Sequence, residues 1–286
     1  SGAIVLYQSR DGFKWELVRT LDRSHNQYGK MWECPDFFPL DGRQVLLTSP
    51  QEMKPVGLEF HAGNGTVCLI GDYAPEDGGF TRRYVQAIDY GLDFYAPQTL
   101  LAPDGRRIMI AWMQNWGTVG AKPCHCRWFG QMTLPRELSV KDGRLYQNPV
   151  RELERYRSGC VLHRNIPVCG EVNLPGVQGR VLDMTVTVRP TGGEIYRWFR
   201  IRVAKDGEHE TIIRYCPSSG TVKLDRTRSG LPHDIVHVRS FLVRPRDGAI
   251  KLRIILDRFS VGFCQRRRAG RQRSALYPPG GGGHYL

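Results

Sequence analysis

Asp-Gly pairs punctuate the first half of the chain at Asp11-Gly12, Asp41-Gly42, Asp77-Gly78-Gly79, Asp104-Gly105 and Asp142-Gly143. They limit the fold more than any other feature. Tight hairpin turns need positive φ at their central residues, a conformation that glycine adopts freely and aspartate tolerates. Between the pairs lie short apolar runs with aromatic residues at many run ends, which is the spacing of small antiparallel sheets. A radial stack of such sheets is a propeller, although no single stretch of sequence encodes radial closure.

Within this half, Arg107-Ile108-Met109-Ile110-Ala111-Trp112-Met113 places Ile108, Ile110 and Trp112 on one face of a strand while the other face is apolar too. That pattern predicts a strand buried on both sides. Around Asn148 to Arg157 the pattern changes. Pro149 can open a helix, and Arg151-Glu152-Leu153-Glu154-Arg155 continues with good helix formers, so 148–157 reads as a linker helix. Beyond it Leu182, Met184, Val186 and Val188 alternate with Asp183, Thr185 and Thr187, and Ile250, Leu252, Ile254 and Leu256 repeat the alternation. One-sided burial of this kind predicts a β-sandwich from residue 158 onward. The expected organisation is all-β: a propeller portion over 1–147, the linker helix, and a sandwich module over 158–286.

At 286 residues with 41% hydrophobic content, the chain can build one large core or two ordinary ones. No apolar run approaches the roughly 18 to 20 residues that span a bilayer, so no membrane partner is expected. The chain has eight cysteines without a paired framework, and it is larger than the scaffolds that depend on disulfides. Reduced thiols and a cytoplasmic location are the expectation. A net charge of +13 raises nucleic acid as a partner, but Arg266, Arg267, Arg268, Arg271 and Arg273 concentrate the excess near one end.

The segment that carries chemistry is Trp32-Glu33-Cys34-Pro35-Asp36-Phe37-Phe38. A carboxyl held between a tryptophan and a proline-stiffened aromatic stretch is partly desolvated, which predicts a raised pKa and a proton available near neutrality. Taken alone, Glu33 reads first as an exposed loop carboxylate beside a core aromatic.

The segment resembles the Trp-Glu-Cys-Pro-Asp signature of glycoside hydrolase family 32. Asp89-Tyr90-Gly91-Leu92-Asp93-Phe94-Tyr95-Ala96-Pro97-Gln98, Trp112-Met113-Gln114-Asn115-Trp116 and Gly130-Gln131-Met132-Thr133-Leu134-Pro135-Arg136-Glu137-Leu138 are similar to later blocks of that family, in the same order. The resemblance implies a partial five-bladed β-propeller followed by a β-sandwich, and hydrolysis of a terminal β-fructofuranosyl bond in sucrose, sucrose 6-phosphate or a fructo-oligosaccharide. It implies no metal and no cofactor. Glu33 matches the general acid/base of a retaining mechanism, in which a second carboxyl about 5 Å away attacks the anomeric carbon.

The family carries that nucleophile in an Asn-Asp-Pro block, and a further aspartate in an Arg-Asp-Pro block. Neither block occurs in this sequence. Ser1-Gly2-Ala3-Ile4-Val5-Leu6-Tyr7-Gln8-Ser9 resembles the strand that follows them, so the chain reads as a fragment expected to be inactive alone. The resemblance places Asp89 and Asp93 in a block that contacts sugar, against the simpler reading of turn capping. Trp32 and Trp116 offer flat faces for sugar rings or fill cores. Cys34 would pack beside the acid against fructose. Cys124-His125-Cys126 lacks the spacing and the second cluster that a zinc site needs.

After Leu256-Asp257-Arg258-Phe259-Ser260-Val261 the alternation stops. Codons for Cys264 to Ala275 read one nucleotide later can spell a hairpin with an Asn-Asp-Gly turn, so 264–286 reads as out of frame and its arginines as no nucleic-acid site. The codons for residues 264 to 275 decide this. A carbohydrate-binding propeller protein in which Glu33 is idle is the alternative to an enzyme.

Overall fold

A computed structural model describes residues 1–121, 130–192, 195–246, 248–258, 260–265 and 284–285. The Asp-Gly turns set its first half. β1 (Ala3–Gln8) and β2 (Glu16–Arg23) form a two-stranded sheet. β3 (Met31–Leu40), β4 (Arg43–Gln51), β5 (Val67–Ala74) and β6 (Gly79–Ala87) form a four-stranded meander, and β7 (Tyr95–Leu101), β8 (Arg107–Trp112), β9 (Arg136–Lys141) and β10 (Arg144–Pro149) form another. Asp41 and Gly42 join β3 to β4 at φ 48° and 74°, and Asp142 and Gly143 join β9 to β10 at φ 50° and 70°. Paired positive φ is what a two-residue hairpin twisting with its strands demands.

β4 and β5 lie between two cores. Leu46, Val67 and Leu69 point into one, and Val45, Leu47, Cys68 and Ile70 into the other, with Phe94, Met109, Ala111 and Leu138. All seven of these β4 and β5 side chains have 0% exposure. β8 meets the expectation of two-sided burial on one face only. Met109 and Ala111 are fully buried, whereas Ile108, Ile110 and Trp112 are half-buried.

The linker forms a single short 3₁₀ helix, Arg151–Tyr156. Ion pairs fix it rather than a side-chain cap. Glu137 accepts both the backbone N–H and the guanidinium of Arg151, and Arg106 bridges Glu137 to Glu152. The arginine contacts, led by Arg151, hold the Glu137 carboxyl down at about 2.

Residues 158–181 contain no strand, and the first sandwich strand spans the alternation at 182–188. One sheet pairs β11 (Leu182–Val188) with β16 (Ile250–Asp257), then β17 (Ser260–Gln265) and β18 (His284–Tyr285). The other runs β12 (Phe199–Val203), β13 (Glu210–Cys216), β14 (Thr221–Arg228) and β15 (Val238–Leu242). In the first sheet Leu182, Met184, Val186 and Val188 stand opposite Leu256, Ile254, Leu252 and Ile250, so the two apolar rows coincide and face one core. That core continues into the propeller portion through Tyr90, which stacks on Phe241 with ring centroids 5.9 Å apart. Cys124-His125-Cys126 and most of 264–286 lie outside the described residues. Among the described residues no helix is long and apolar enough to cross a membrane.

Candidate active site

Two edge strands, β3 and β7, lose register side by side, and the candidate acid sits where they do. The β3–β4 ladder shifts between Glu33 and Asp36, and the β7–β8 ladder shifts between Tyr95 and Gln98. Each bulge contains a residue with positive φ other than glycine, Cys34 at 48° and Ala96 at 50°. Such bulges re-aim side chains at the end of a sheet. They are cross-bonded: Ala96 N–H donates to Ser49 Oγ, Gln98 Nε2 to the Cys34 carbonyl, and Thr99 N–H to Asp36 Oδ2.

The re-aimed Glu33 is half-buried and accepts three hydrogen bonds on one oxygen. Gln51 Nε2 and the Tyr95 hydroxyl each donate to Oε2 at 2.8 Å, and the Trp116 indole N–H donates at 3.3 Å. Oε1 accepts none among the described residues. Burial pushes the Glu33 carboxyl up, but the bonds from Tyr95, Gln51 and Trp116 together outweigh it and hold the group below the ordinary glutamate value. This corrects the expectation of a raised pKa. Desolvation acts as foreseen, but three donors stabilise the charged form. Tyr95 is pushed up, by burial first, then by its hydrogen bond to Glu33 and by the Glu33 charge, so it stays a neutral donor. Its single proton faces two acceptors, Glu33 Oε2 and the Ser49 carbonyl at 2.9 Å.

An aromatic wall flanks the carboxyl. Trp112 meets Tyr95 edge-on at 6.5 Å and Trp116 at 5.6 Å. Trp116 is 53% exposed, so its ring face is open to a ligand. Cys34 is exposed next to Glu33, and burial and the neighbouring negative charge push its thiol up.

Three residues expected at the site are placed elsewhere. Trp32 is a core residue at 5% exposure, with its indole N–H on the Tyr28 carbonyl. Alternation along β3 turns it inward where Glu33 turns outward. Asp89 lies buried against Arg136, whose Nη2 is 2.8 Å from Oδ2, and Arg136 also donates to Gln147 and covers the Phe94 ring. Asp93 is buried in an ion pair with Arg226 of the sandwich and accepts from Thr118. Each of these two carboxylates meets an arginine delivered from far along the chain. Gln51 and Tyr95 were not singled out by sequence reading, though Tyr95 stands inside one of the recognised blocks.

Propeller-type meanders followed by a sandwich, with a carboxyl at a bulged strand end, define the architecture, and comparison with known proteins names the family that shares it. Residues 1–149 match the glycosyl hydrolases family 32 N-terminal domain, and residues 152–261 match the glycosyl hydrolases family 32 C-terminal domain. The chain belongs to glycoside hydrolase family 32. It is 33% identical to the raffinose invertase of Escherichia coli, over 97% of this chain and 56% of that protein. It is 34% identical to a sucrose-6-phosphate hydrolase of Zymomonas mobilis, over 91% of this chain and 51% of that protein. The fold matches the β-fructofuranosidase of Bombyx mori with a TM-score of 0.68 at 27% identity, covering 91% of this chain and 52% of that one. The chain thus spans about half the length of the relatives it matches.

Proposed function

We propose that this chain supplies the acid/base half of a retaining β-fructofuranosidase, with Glu33 as the proton donor to the leaving oxygen and then the base that activates water. The observation that carries this reading is the convergence of Gln51, Tyr95 and Trp116 on Oε2. With one oxygen saturated, Oε1 is the atom on which a proton is held and from which it is delivered. A neighbouring nucleophile carboxylate about 5 Å away, as retention requires, would raise the Glu33 pKa towards the value a general acid needs.

A terminal β-fructofuranosyl bond, in sucrose or sucrose 6-phosphate, is the substrate linkage we assign. Relatives named as invertase and sucrose-6-phosphate hydrolase support it, as does a variant of the Bombyx mori enzyme crystallised with sucrose. Trp116 offers an open aromatic face for the sugar, and Cys34 a small neutral side chain next to the acid. Cysteine usage supports a cytoplasmic location.

The test assays sucrose hydrolysis by this chain alone and by the chain complemented with a segment that carries an Asn-Asp-Pro nucleophile. Hydrolysis is expected in the complemented sample, falling about 10²- to 10⁴-fold on Glu33→Gln. The loss should shrink for a fructoside with an activated leaving group, which needs no proton. Sucrose binding without hydrolysis in either sample would leave a carbohydrate-binding protein and sink the enzyme reading.

A further inference from the structure

The turn that presents Trp116 is held from the other module. Residues 115–118 close on themselves: Thr118 N–H donates to the Asn115 carbonyl at 2.9 Å, and Gly117 N–H to Asn115 Oδ1 at 2.7 Å. The Asn115 N–H donates to Thr118 Oγ1 at 3.1 Å. The Thr118 hydroxyl in turn donates to Asp93 Oδ1 at 2.8 Å, and Asp93 Oδ2 accepts from Arg226 Nη1. Arg226 belongs to β14 of the sandwich, and its Nη2 is anchored on the Val236 carbonyl at 2.9 Å. Arg226 is 2% exposed and Asp93 5%. An unbroken series of buried polar contacts therefore runs from the sandwich to the turn whose tip touches Glu33.

We propose that Arg226 is a positioning residue for the acid, acting through Asp93 and Thr118 to hold the Trp116 indole on Glu33; the proposal rests on the reading of Glu33 as acid/base. The Thr118 hydroxyl has one proton and two acceptors in reach, Asp93 Oδ1 and the Asn115 carbonyl at 3.3 Å. The Asp93 carboxylate accepts from that hydroxyl and leaves its lone pairs facing the Asn115 N–H. The ion pair with Arg226 holds the carboxylate in this place. Without the guanidinium the carboxylate turns away, and the hydroxyl swings to its own turn. Half the surface of Trp116 is exposed, and among the described residues its ring also meets the edge of Trp112. Loss of the indole bond removes one of the three donors that hold Glu33 down. The sandwich thereby sets part of the acidity of a carboxyl it does not touch.

The test is nuclear magnetic resonance on the whole chain, with the Trp116 indole N–H assigned by Trp116→Phe and Glu33 followed by carboxyl ¹³C titration. Arg226→Met and Thr118→Val should each move the indole resonance to the position of a solvent-bonded indole and raise the Glu33 midpoint. Asp183→Asn, which breaks the Arg253–Asp183 pair inside the sandwich, should do neither. If Arg226→Met does not fold, Thr118→Val decides alone, since it keeps the side-chain volume. An unmoved indole in Thr118→Val overturns the proposal, and so does an equal shift in Asp183→Asn. Neither readout needs turnover, so a Glu33→Gln variant with undiminished hydrolysis would remove the acid/base reading while leaving the measured coupling standing.

Discussion

The propeller sheets and the sandwich sheets are built from the same antiparallel hairpins but bury their side chains differently. In β4 and β5 both faces are packed, and Val45, Leu46, Leu47 and Val67 to Ile70 are wholly inaccessible. In β14 burial alternates: Val222, Leu224 and Arg226 point inward, and Thr221, Lys223 and Asp225 outward. A sheet packed on both faces has no room along its length for a group that must meet solvent, so its chemistry collects at strand ends. There a bulge can turn a side chain out, as β3 does with Glu33, while the bulge in β7 sets the buried Tyr95 whose hydroxyl donates to it. A sheet packed on one face can show polar groups anywhere, but they remain merely solvated, as in the 3.5 Å Lys223–Asp225 contact.

Breaking an ion pair on each side gives the largest contrast. Asp89→Asn takes the charged partner from Arg136 in the propeller interior and should lower unfolding free energy by about 3–5 kcal/mol. Asp183→Asn, whose partners Arg253 and Arg157 retain more solvent contact, should lose clearly less, with urea midpoints as the measure. If Asp89 instead touched sugar, its substitution would weaken binding and leave the midpoint in place. Next in size, Leu47→Ala between two packed layers should lose about 2–5 kcal/mol. Val186→Ala on a half-buried face should lose on the order of 1 kcal/mol.

Tyr95→Phe probes the bulged ends. Glu33 is held below its ordinary value, so its contribution to stability is present above the unfolded-state pKa and fades as pH falls through the folded one. Removing the Tyr95 donor should raise the Glu33 midpoint and shrink the acid-side slope of stability against pH. An unchanged midpoint would mean that Gln51 and Trp116 suffice. The smallest effect belongs to exposed pairs: Lys30→Ala, which frees Glu52 at the surface, should change stability by about 0–1 kcal/mol.

The hairpins were legible because an Asp-Gly turn is a local event, complete within a few residues. Glu33 was legible because its neighbours in sequence, Trp32 and Cys34, carry the family pattern. Its donors were not, since Tyr95 reaches it across a separation of 62 residues and Trp116 across 83. The bulges at Cys34 and Ala96 leave no mark in composition, because neither residue is the glycine that positive φ favours. The Asp93 ion pair was hidden for the same reason of distance, as its partner Arg226 comes 133 residues later. One signal was readable and passed over: Arg226 continues the inward row of Val222 and Leu224, and a charge on an apolar row needs a buried partner.

The stack of Tyr90 on Phe241 joins propeller and sandwich side chains in one uninterrupted core. The two modules therefore melt as one cooperative body, and calorimetry should record a single endotherm. The slowest-exchanging amides of β5 and β14 should report the same opening free energy, because neither layer can be exposed while the other stays closed.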